Sequence, residues 1–299
     1  MKGLQDRPRS IPSKYLYDQR GAELFEKICT LPEYYPTRTE LTIMREHGAE
    51  MAELLGPHCL LIEYGTGEGI KTRLLLEKME DPVAYVPVDI SREQLLETAE
   101  QLRTRFADLE ILPVCADYTE PFPLPGIERE TRRNVAYFPG STIGNFEPEF
   151  ARRFLSHVAE SCSPRGALLI GVDLQKDRAT LEAAYNDDQG VTAEFNRNVL
   201  AHVNRELGAD FDLERFAHRA FYNEEEGRIE MHLVSETDQQ VHLDGEQIPL
   251  KEGETICTEY SYKYTLEGFA ELAEAAGFEV SRVWTDPDEL FSVQYLTVR

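Results

Sequence analysis

The run Glu63-Tyr64-Gly65-Thr66-Gly67-Glu68-Gly69 ends a short apolar stretch, Leu60 to Tyr64, and leads into a helical pattern. Glycines so placed let a backbone approach a ligand at the carboxyl end of a strand. By itself the loop admits two readings, a plain strand-to-helix turn or a site for a nucleotide-like ligand. A dinucleotide fingerprint would put glycine where Ile70 stands, and the Gly-Lys-Ser/Thr ending of a P-loop is absent. What remains is the pattern usual for S-adenosylmethionine. Asp89 ends the next apolar run and is suited to accept from both ribose hydroxyls. Asp117, beside Tyr118, follows the third run, where a carboxylate could hold an adenine amino group while the ring stacks. Each acid taken singly could equally be a polar turn; three ordered features in successive loops favour the cofactor.

Such loops need a scaffold that brings them to one edge, and the hydrophobic pattern supplies it. Apolar runs at Leu60 to Tyr64, Ala84 to Asp89, Ile111 to Ala116, Val135 to Phe138 and Ala167 to Val172 alternate with helical patterns. The helices lie near Lys71 to Met79, Arg92 to Phe106 and Pro148 to Ser161, with Ser91 as an expected N-cap and Gln94 at capping-box spacing. Successive βαβ steps predict an open, doubly wound parallel sheet. After Asp173 the alternation stops. Ala179 to Tyr185 and Val191 to Leu207 read as helices, and Arg228 to Val234, Gln240 to Leu243 and Thr255 to Tyr264 as alternating strands. A helix at Leu266 to Ala276 and apolar runs at Val280 to Trp284 and Phe291 to Val298 then return to the sheet with an antiparallel finish. The expected fold class is α/β, a Rossmann-like class I methyltransferase sheet with an inserted α+β substrate-binding domain. Residues 56–178 and 265–299 would form the S-adenosylmethionine-binding domain and 179–264 the insertion, with an aromatic, helical segment 1–55 contributing to the substrate domain.

Lys and Arg total 31 against 55 Asp and Glu, and the net charge of −24 repels a phosphate backbone. No nucleic-acid partner is expected. Cys29, Cys59, Cys115, Cys162 and Cys257 are odd in number and lack the paired spacing of a disulfide scaffold or a zinc site. They predict reduced thiols in a cytoplasmic protein without a metal. No stretch approaches the ~20 apolar residues of a membrane span, so no membrane partner is expected, and the chain is taken as a monomer.

Several strings go beyond generic patterning. They are Lys14-Tyr15-Leu16-Tyr17-Asp18, Leu31-Pro32-Glu33-Tyr34-Tyr35-Pro36-Thr37-Arg38, Gly140-Ser141-Thr142-Ile143-Gly144-Asn145 and Gly190-Val191-Thr192-Ala193-Glu194-Phe195-Asn196. Arg228-Ile229-Glu230-Met231, Thr258-Glu259-Tyr260-Ser261 and Trp284-Thr285-Asp286-Pro287 join them. Through these strings the chain, from about Ser10 onward, resembles the ergothioneine-pathway L-histidine Nα-methyltransferase family. The resemblance implies three methyl transfers from S-adenosylmethionine to the α-amino group of L-histidine, giving hercynine, the first step of ergothioneine biosynthesis. Matched motif by motif, it implies a cofactor set of Gly65, Gly67, Lys71, Asp89, Asp117 and Tyr118. It implies an amino-acid set of Tyr17, Phe25, Tyr34, Gly140, Thr142, Asn145, Tyr185, Met231, Glu259 and Ser261. Met231, Glu259 and Ser261 are similar to positions facing the imidazole, and Asn145 with Tyr185 to those holding the α-carboxylate and amine. Gly69 and Ile70 depart from the more polar residues usual before Lys71, which leaves the loop's detail open.

The chemistry suits these residue types. Methyl transfer from a sulfonium needs a neutral amine lone pair aimed at the methyl carbon, so positioning dominates. With an α-amino pKa of about 8, a modest shift suffices near neutral pH. Tyr17 could act catalytically as a proton relay to the amine, or serve as a packing tyrosine. A quaternary product keeps no donor and suits aromatic faces, worth ~0.5–2 kcal/mol each, which Tyr15, Tyr17, Phe25, Tyr34 and Tyr35 offer. Glu259 can accept from one imidazole N–H while Ser261 hydrogen-bonds the other nitrogen, and their spacing puts both on one strand face. Two other readings stand beside this one. An enzyme of the same fold could act on tryptophan or a prenylated tryptophan, where the Glu259 carboxylate has no role. A non-catalytic cofactor-binding protein could share the fold. Enzymes methylating amides carry Asp/Asn-Pro-Pro-aromatic where this chain has Pro139-Gly140-Ser141-Thr142.

Overall fold

A run such as Cys59-Leu60-Leu61-Ile62 has no face to give to water, so it must lie in a sheet covered on both sides. A computed structural model describing residues 2–67 and 69–299 places it inside an eight-stranded sheet. Glu68 of the glycine loop lies outside the described residues. The order is Phe278–Thr285, Phe291–Val298, Ala167–Asp173, Arg133–Phe138, Cys59–Tyr64, Ala84–Asp89 and Glu110–Ile111, with Val114–Cys115 also against Ala84–Asp89. Phe291–Val298 runs antiparallel to both neighbours, and the remaining pairs are parallel. The strand order reverses at Cys59–Tyr64, and in open α/β sheets the carboxyl ends at such a point form the ligand crevice.

Alternate side chains of the central strand enter two apolar layers. Leu60, Ile62 and Tyr64 join Phe154, Leu155 and Val158 of the helix Pro148–Cys162 and Phe269 of Leu266–Ala275. Cys59 and Leu61 join Ile43, Met44, Met51 and Leu55 of Tyr35–Leu55, with Leu75 of Ile70–Leu76 and Leu102 of Arg92–Arg105. That packing corrects, for residues 36–55 alone, the expectation that residues 1–55 go with the substrate domain. The sheet unit is Pro36–Gln175 with Tyr264–Arg299, because the apolar stripe of the 35–55 helix is part of its core.

The second unit comprises Met1–Tyr35 and Lys176–Lys263. Its sheet runs Arg9–Ser10, Thr255–Tyr262, Arg228–Ser235, Phe216–Asn223, and Gln239–Leu243 pairs separately with Glu246–Leu250. The helices Gln19–Thr30 and Val191–Leu207 pack together, the first capped by Asp18, whose carboxylate accepts from Gly21 N–H at 2.8 Å. Phe216–Asn223 was not expected as a strand because its apolar residues do not alternate, and Glu246–Leu250 carries Pro249.

Two local expectations need correction. The predicted strand Ile111 to Ala116 is split into Glu110–Ile111 and Val114–Cys115, since Pro113 has no N–H for the ladder. Ser91 stands at the N-cap as expected but makes no side-chain cap bond; its backbone N–H donates to Asp89 Oδ1 at 2.8 Å. Among the described residues no helix is long and apolar enough to cross a membrane.

Candidate functional site

In the sheet unit, the loop after Cys59–Tyr64 takes left-handed backbone at Gly65 (φ 79°) and Gly67 (φ 49°), conformations that side chains with a Cβ resist. Thr66 N–H donates to Asp89 Oδ2 at 3.0 Å, which ties this loop to the end of the next strand. Burial pushes the Asp89 carboxyl up from its ordinary value, and backbone N–H groups of Ser91 and Thr66 pull it the other way. Beside it Ile90 is an apolar side chain left 45% exposed. Tyr118 packs edge-on against Tyr64 at 6.0 Å and Phe138 at 5.9 Å, and its hydroxyl comes close to Gly65. Asp117 accepts from Thr119 N–H at 3.1 Å. Gly65, Gly67, Asp89, Asp117 and Tyr118 thus gather at the carboxyl edge of three neighbouring strands.

Lys71 stands differently. Its ammonium forms an ion pair with Glu40, a residue only 1% exposed on the 35–55 helix. Both Glu40 oxygens accept from Gly140 N–H at 3.0 Å, so one carboxylate joins Lys71 to the Gly140–Asn145 segment. Gly171 makes room for it, because a Cβ there would fall 2.3 Å from Glu40 Oε1. Thr142 to Asn145 form one turn of 3₁₀ helix, with Thr142 Oγ1 donating to Pro139 O at 3.3 Å. Ser141 enters that turn with φ 58°, a strained value for a residue with a side chain, and its hydroxyl accepts from Asp173 N–H at 2.8 Å.

In the second unit five rings form a chain. Phe195 lies 5.5 Å from Tyr17, Tyr17 is 5.5 Å from Phe25, Phe25 is 6.0 Å from Tyr34, and Tyr34 is 6.3 Å from Tyr185. In each of these edge-on pairs one ring turns its edge toward the face of the other. Burial pushes the Tyr34 phenol well above its ordinary value, with the Glu259 charge adding to the rise.

The ring chain ends on a polar group. Tyr185 Oη donates to Ser261 Oγ at 2.8 Å, and the Lys263 ammonium donates to Ser261 Oγ at 2.8 Å and Tyr185 Oη at 3.0 Å. Glu259 lies directly opposite Met231 across the antiparallel pair, and Ser261 opposite Ile229. Burial pushes the Glu259 carboxyl up to about 7, with the Lys263 charge opposing. The Tyr185 backbone is fixed by His218, whose Nε2 donates to Tyr185 O at 2.9 Å while Nδ1 accepts from Asn196 Nδ2 at 2.9 Å. Burial lowers the His218 pKa, consistent with the neutral ring this bonding requires.

The amino-acid set therefore divides. Tyr17, Phe25, Tyr34, Tyr185, Met231, Glu259 and Ser261 are brought together in the second unit, while Gly140, Thr142 and Asn145 belong to the sheet unit. Within the second unit the Tyr185 hydroxyl joins Ser261. Glu40, Ile90, Phe195 and Lys263 were not anticipated. Phe195 sits within the Gly190 to Asn196 string, and Lys263 continues the two-residue spacing of Glu259 and Ser261. Glu40 and Ile90 carry no sequence signal of their own.

This sheet order, with its glycine loop and following carboxylates, defines a class I S-adenosylmethionine-dependent methyltransferase. The chain belongs to the histidine-specific, S-adenosylmethionine-dependent methyltransferase family, whose model matches residues 1–298. It is 44% identical over 292 residues to the histidine N-alpha-methyltransferase of Mycolicibacterium smegmatis, covering 95% of this chain and 89% of that one. It is 33% identical over 292 residues to ergothioneine biosynthesis protein 1 of Neurospora crassa, covering 95% of this chain and 33% of that longer one. Among solved structures the CcbJ methyltransferase from Streptomyces caelestis superposes with a TM-score of 0.50 at 13% identity, covering 86% of this chain and 96% of that one. That likeness concerns the fold alone.

Proposed function

We propose that this chain methylates the α-amino nitrogen of L-histidine with S-adenosylmethionine, through three transfers to hercynine, as the first step of ergothioneine biosynthesis. The observation that carries the reading is the placement of the Glu259 carboxylate and Ser261 hydroxyl on one strand face, beside Tyr185 and Met231. A buried acceptor and a hydroxyl suit the two nitrogens of an imidazole, and an indole has no use for the carboxylate.

The residues present fit the cofactor: a bare glycine backbone, a carboxylate with lone pairs to spare for hydroxyls, and the exposed apolar Ile90. Gly65, Gly67, Asp89, Asp117 and Tyr118 would hold it, with Ile90 against its base. Bound S-adenosylmethionine supplies an electrophilic methyl carbon. The chain's task is orientation, because a displacement of this kind gains most from fixing the angle and distance of attack. Asn145, with Gly140 and Thr142, would hold the α-carboxylate end. Lys71 serves through Glu40, joining the helix after the glycine loop to the Gly140 segment. Tyr17 would take a hydrogen bond to the amine and relay its proton, and Phe25, Tyr34 and Phe195 would lie against the amine as it gains methyl groups. The protein would work in the cytoplasm as a monomer on a free amino acid, without nucleic acid or membrane; its charge of −24 favours that over a polyanionic partner.

Incubation with S-adenosylmethionine and either L-histidine or L-tryptophan, followed by mass spectrometry, tests the reading. Histidine should gain up to three methyl groups. Gain on tryptophan alone, or cofactor binding without turnover, would overturn it.

A further inference from the structure

Ser261 can meet an imidazole nitrogen as donor or as acceptor, and which it does decides the protonation of the ring that fits. Its neighbours decide the matter. Lys263 lies one residue beyond the strand Thr255–Tyr262, and its ammonium reaches back to Ser261 Oγ at 2.8 Å. It is 3% exposed, and its Nζ lies 5.0 Å over the Tyr185 ring. An ammonium only donates, and it donates to both the Ser261 and Tyr185 oxygens. Tyr185 sends its own hydrogen to Ser261. The Ser261 oxygen therefore accepts twice, which uses both lone pairs, and its hydrogen is what it has to offer.

We propose that Lys263 is a positioning residue for substrate selection. By holding Ser261 as a donor, it makes the pocket select the neutral imidazole whose N–H meets Glu259 and whose bare nitrogen meets Ser261. The inference rests on histidine being the substrate. An imidazolium would set N–H against O–H at Ser261 with a second cation close by. A ring that keeps one N–H but has C–H in place of the other nitrogen would leave the Ser261 hydrogen with nothing to bind.

The test is a double-mutant cycle with Ser261→Ala and Lys263→Met, measured on histidine and on a pyrrolylalanine, which keeps the N–H and lacks the acceptor. Each single variant should raise the histidine KM by about tenfold, the size expected for one lost buried hydrogen bond to a charged or polar network. Each should leave S-adenosylmethionine affinity unchanged and narrow the preference for histidine over pyrrolylalanine. The double variant should be no worse than either single one. Losses that multiply, or a Lys263→Met variant that loses cofactor affinity and kcat along with histidine affinity, would reduce Lys263 to a structural role. A direct measurement needs no variant that must fold. Nitrogen NMR of isotope-labelled histidine bound to the wild-type protein with S-adenosylhomocysteine should show one protonated and one bare ring nitrogen; two protonated nitrogens would refute the proposal. Wild-type turnover of histidine reports separately on the underlying reading, so failure there is distinct from failure of the cycle.

Discussion

Glu259 stands directly across from Met231 because Thr258 is bulged out of the ladder between them. The pairing runs Cys257 with His232 and then Glu259 with Met231. Continued without the bulge, the register would set Glu259 opposite Glu230, on the other face. There Arg228 and His232 already bind Glu230, at 2.8 and 3.0 Å. A one-residue slip moves every following side chain to the opposite face, so the bulge is what presents Glu259 and Ser261 beside Tyr185. The Thr258 hydroxyl lies 2.6 Å from Asn196 Oδ1 and 3.1 Å from Met231 O, on the fully buried Asn196 side chain.

Thr258→Val keeps the shape and removes that anchor. We expect a loss of ~1–3 kcal/mol in stability from the unpaired Asn196 oxygen. Histidine KM should rise while S-adenosylhomocysteine affinity, measured by calorimetry, stays put. An unchanged histidine KM would mean that the bulge holds without its hydroxyl.

The Glu259 carboxyl is pushed up to about 7 by burial, so in the free protein the carboxylate forms as pH rises through neutrality. An imidazole N–H binds the carboxylate better than the acid, and histidine affinity should therefore improve with pH on account of this group. Glu259→Gln cannot ionise. Its deficit in histidine affinity relative to wild type should be small near pH 6 and grow to about tenfold or more near pH 8. Titrations of the substrate itself occur with both proteins and cancel in the ratio. A ratio flat across that range would detach Glu259 from the ring.

The bulge also shows where the sequence stops informing. Alternation and glycine placement located the sheet, the glycine loop after its central strand and Asp89 at the end of the next, because those features follow from local periodicity and strand-end turns. Glu259 and Ser261 were assigned to one face correctly from their spacing, yet which face depends on Thr258, and an extra residue in a ladder has no periodic signature. Phe216–Asn223 lacked alternation for a similar reason: its positions pack against helices on one side and a mixed polar network on the other. Glu40 was invisible because its role is set by partners 31 and 100 positions away, Lys71 and Gly140.

That buried carboxylate can be tested from its neighbour. A Cβ at position 171 would lie 2.3 Å from Glu40 Oε1 and 3.1 Å from Gly140 N, so Gly171→Ala must displace Glu40 from both partners. Overpacking of this kind costs ~1–3 kcal/mol, visible as a lower Tm. Glu40→Gln strands the partly buried Lys71 charge and should cost as much or more. In both variants S-adenosylhomocysteine affinity should fall, since Lys71 opens the helix beside the glycine loop. Lower Tm with unchanged cofactor affinity would confine Glu40 to a structural part.

Glu63 offers a stability test of the same sheet. Its carboxyl is fully buried, receives the Thr72 hydroxyl at 2.8 Å and is joined by the Tyr85 hydroxyl. Burial pushes it up from 4.5 to about 8, against those two hydrogen bonds. The folded protein thus keeps a proton that the unfolded chain gives up above pH 4.5. A group raised in this way contributes its full stability below its unfolded value. The contribution declines by ~1.4 kcal/mol per pH unit as pH climbs toward the folded value, then levels. Glu63→Gln holds a neutral group of the same shape with an oxygen for Thr72, and has no such decline. Relative to wild type, its Tm should therefore rise steadily between pH 5 and about 8 and change little beyond. Parallel Tm profiles for the two proteins would show that Glu63 is ionised in the folded state.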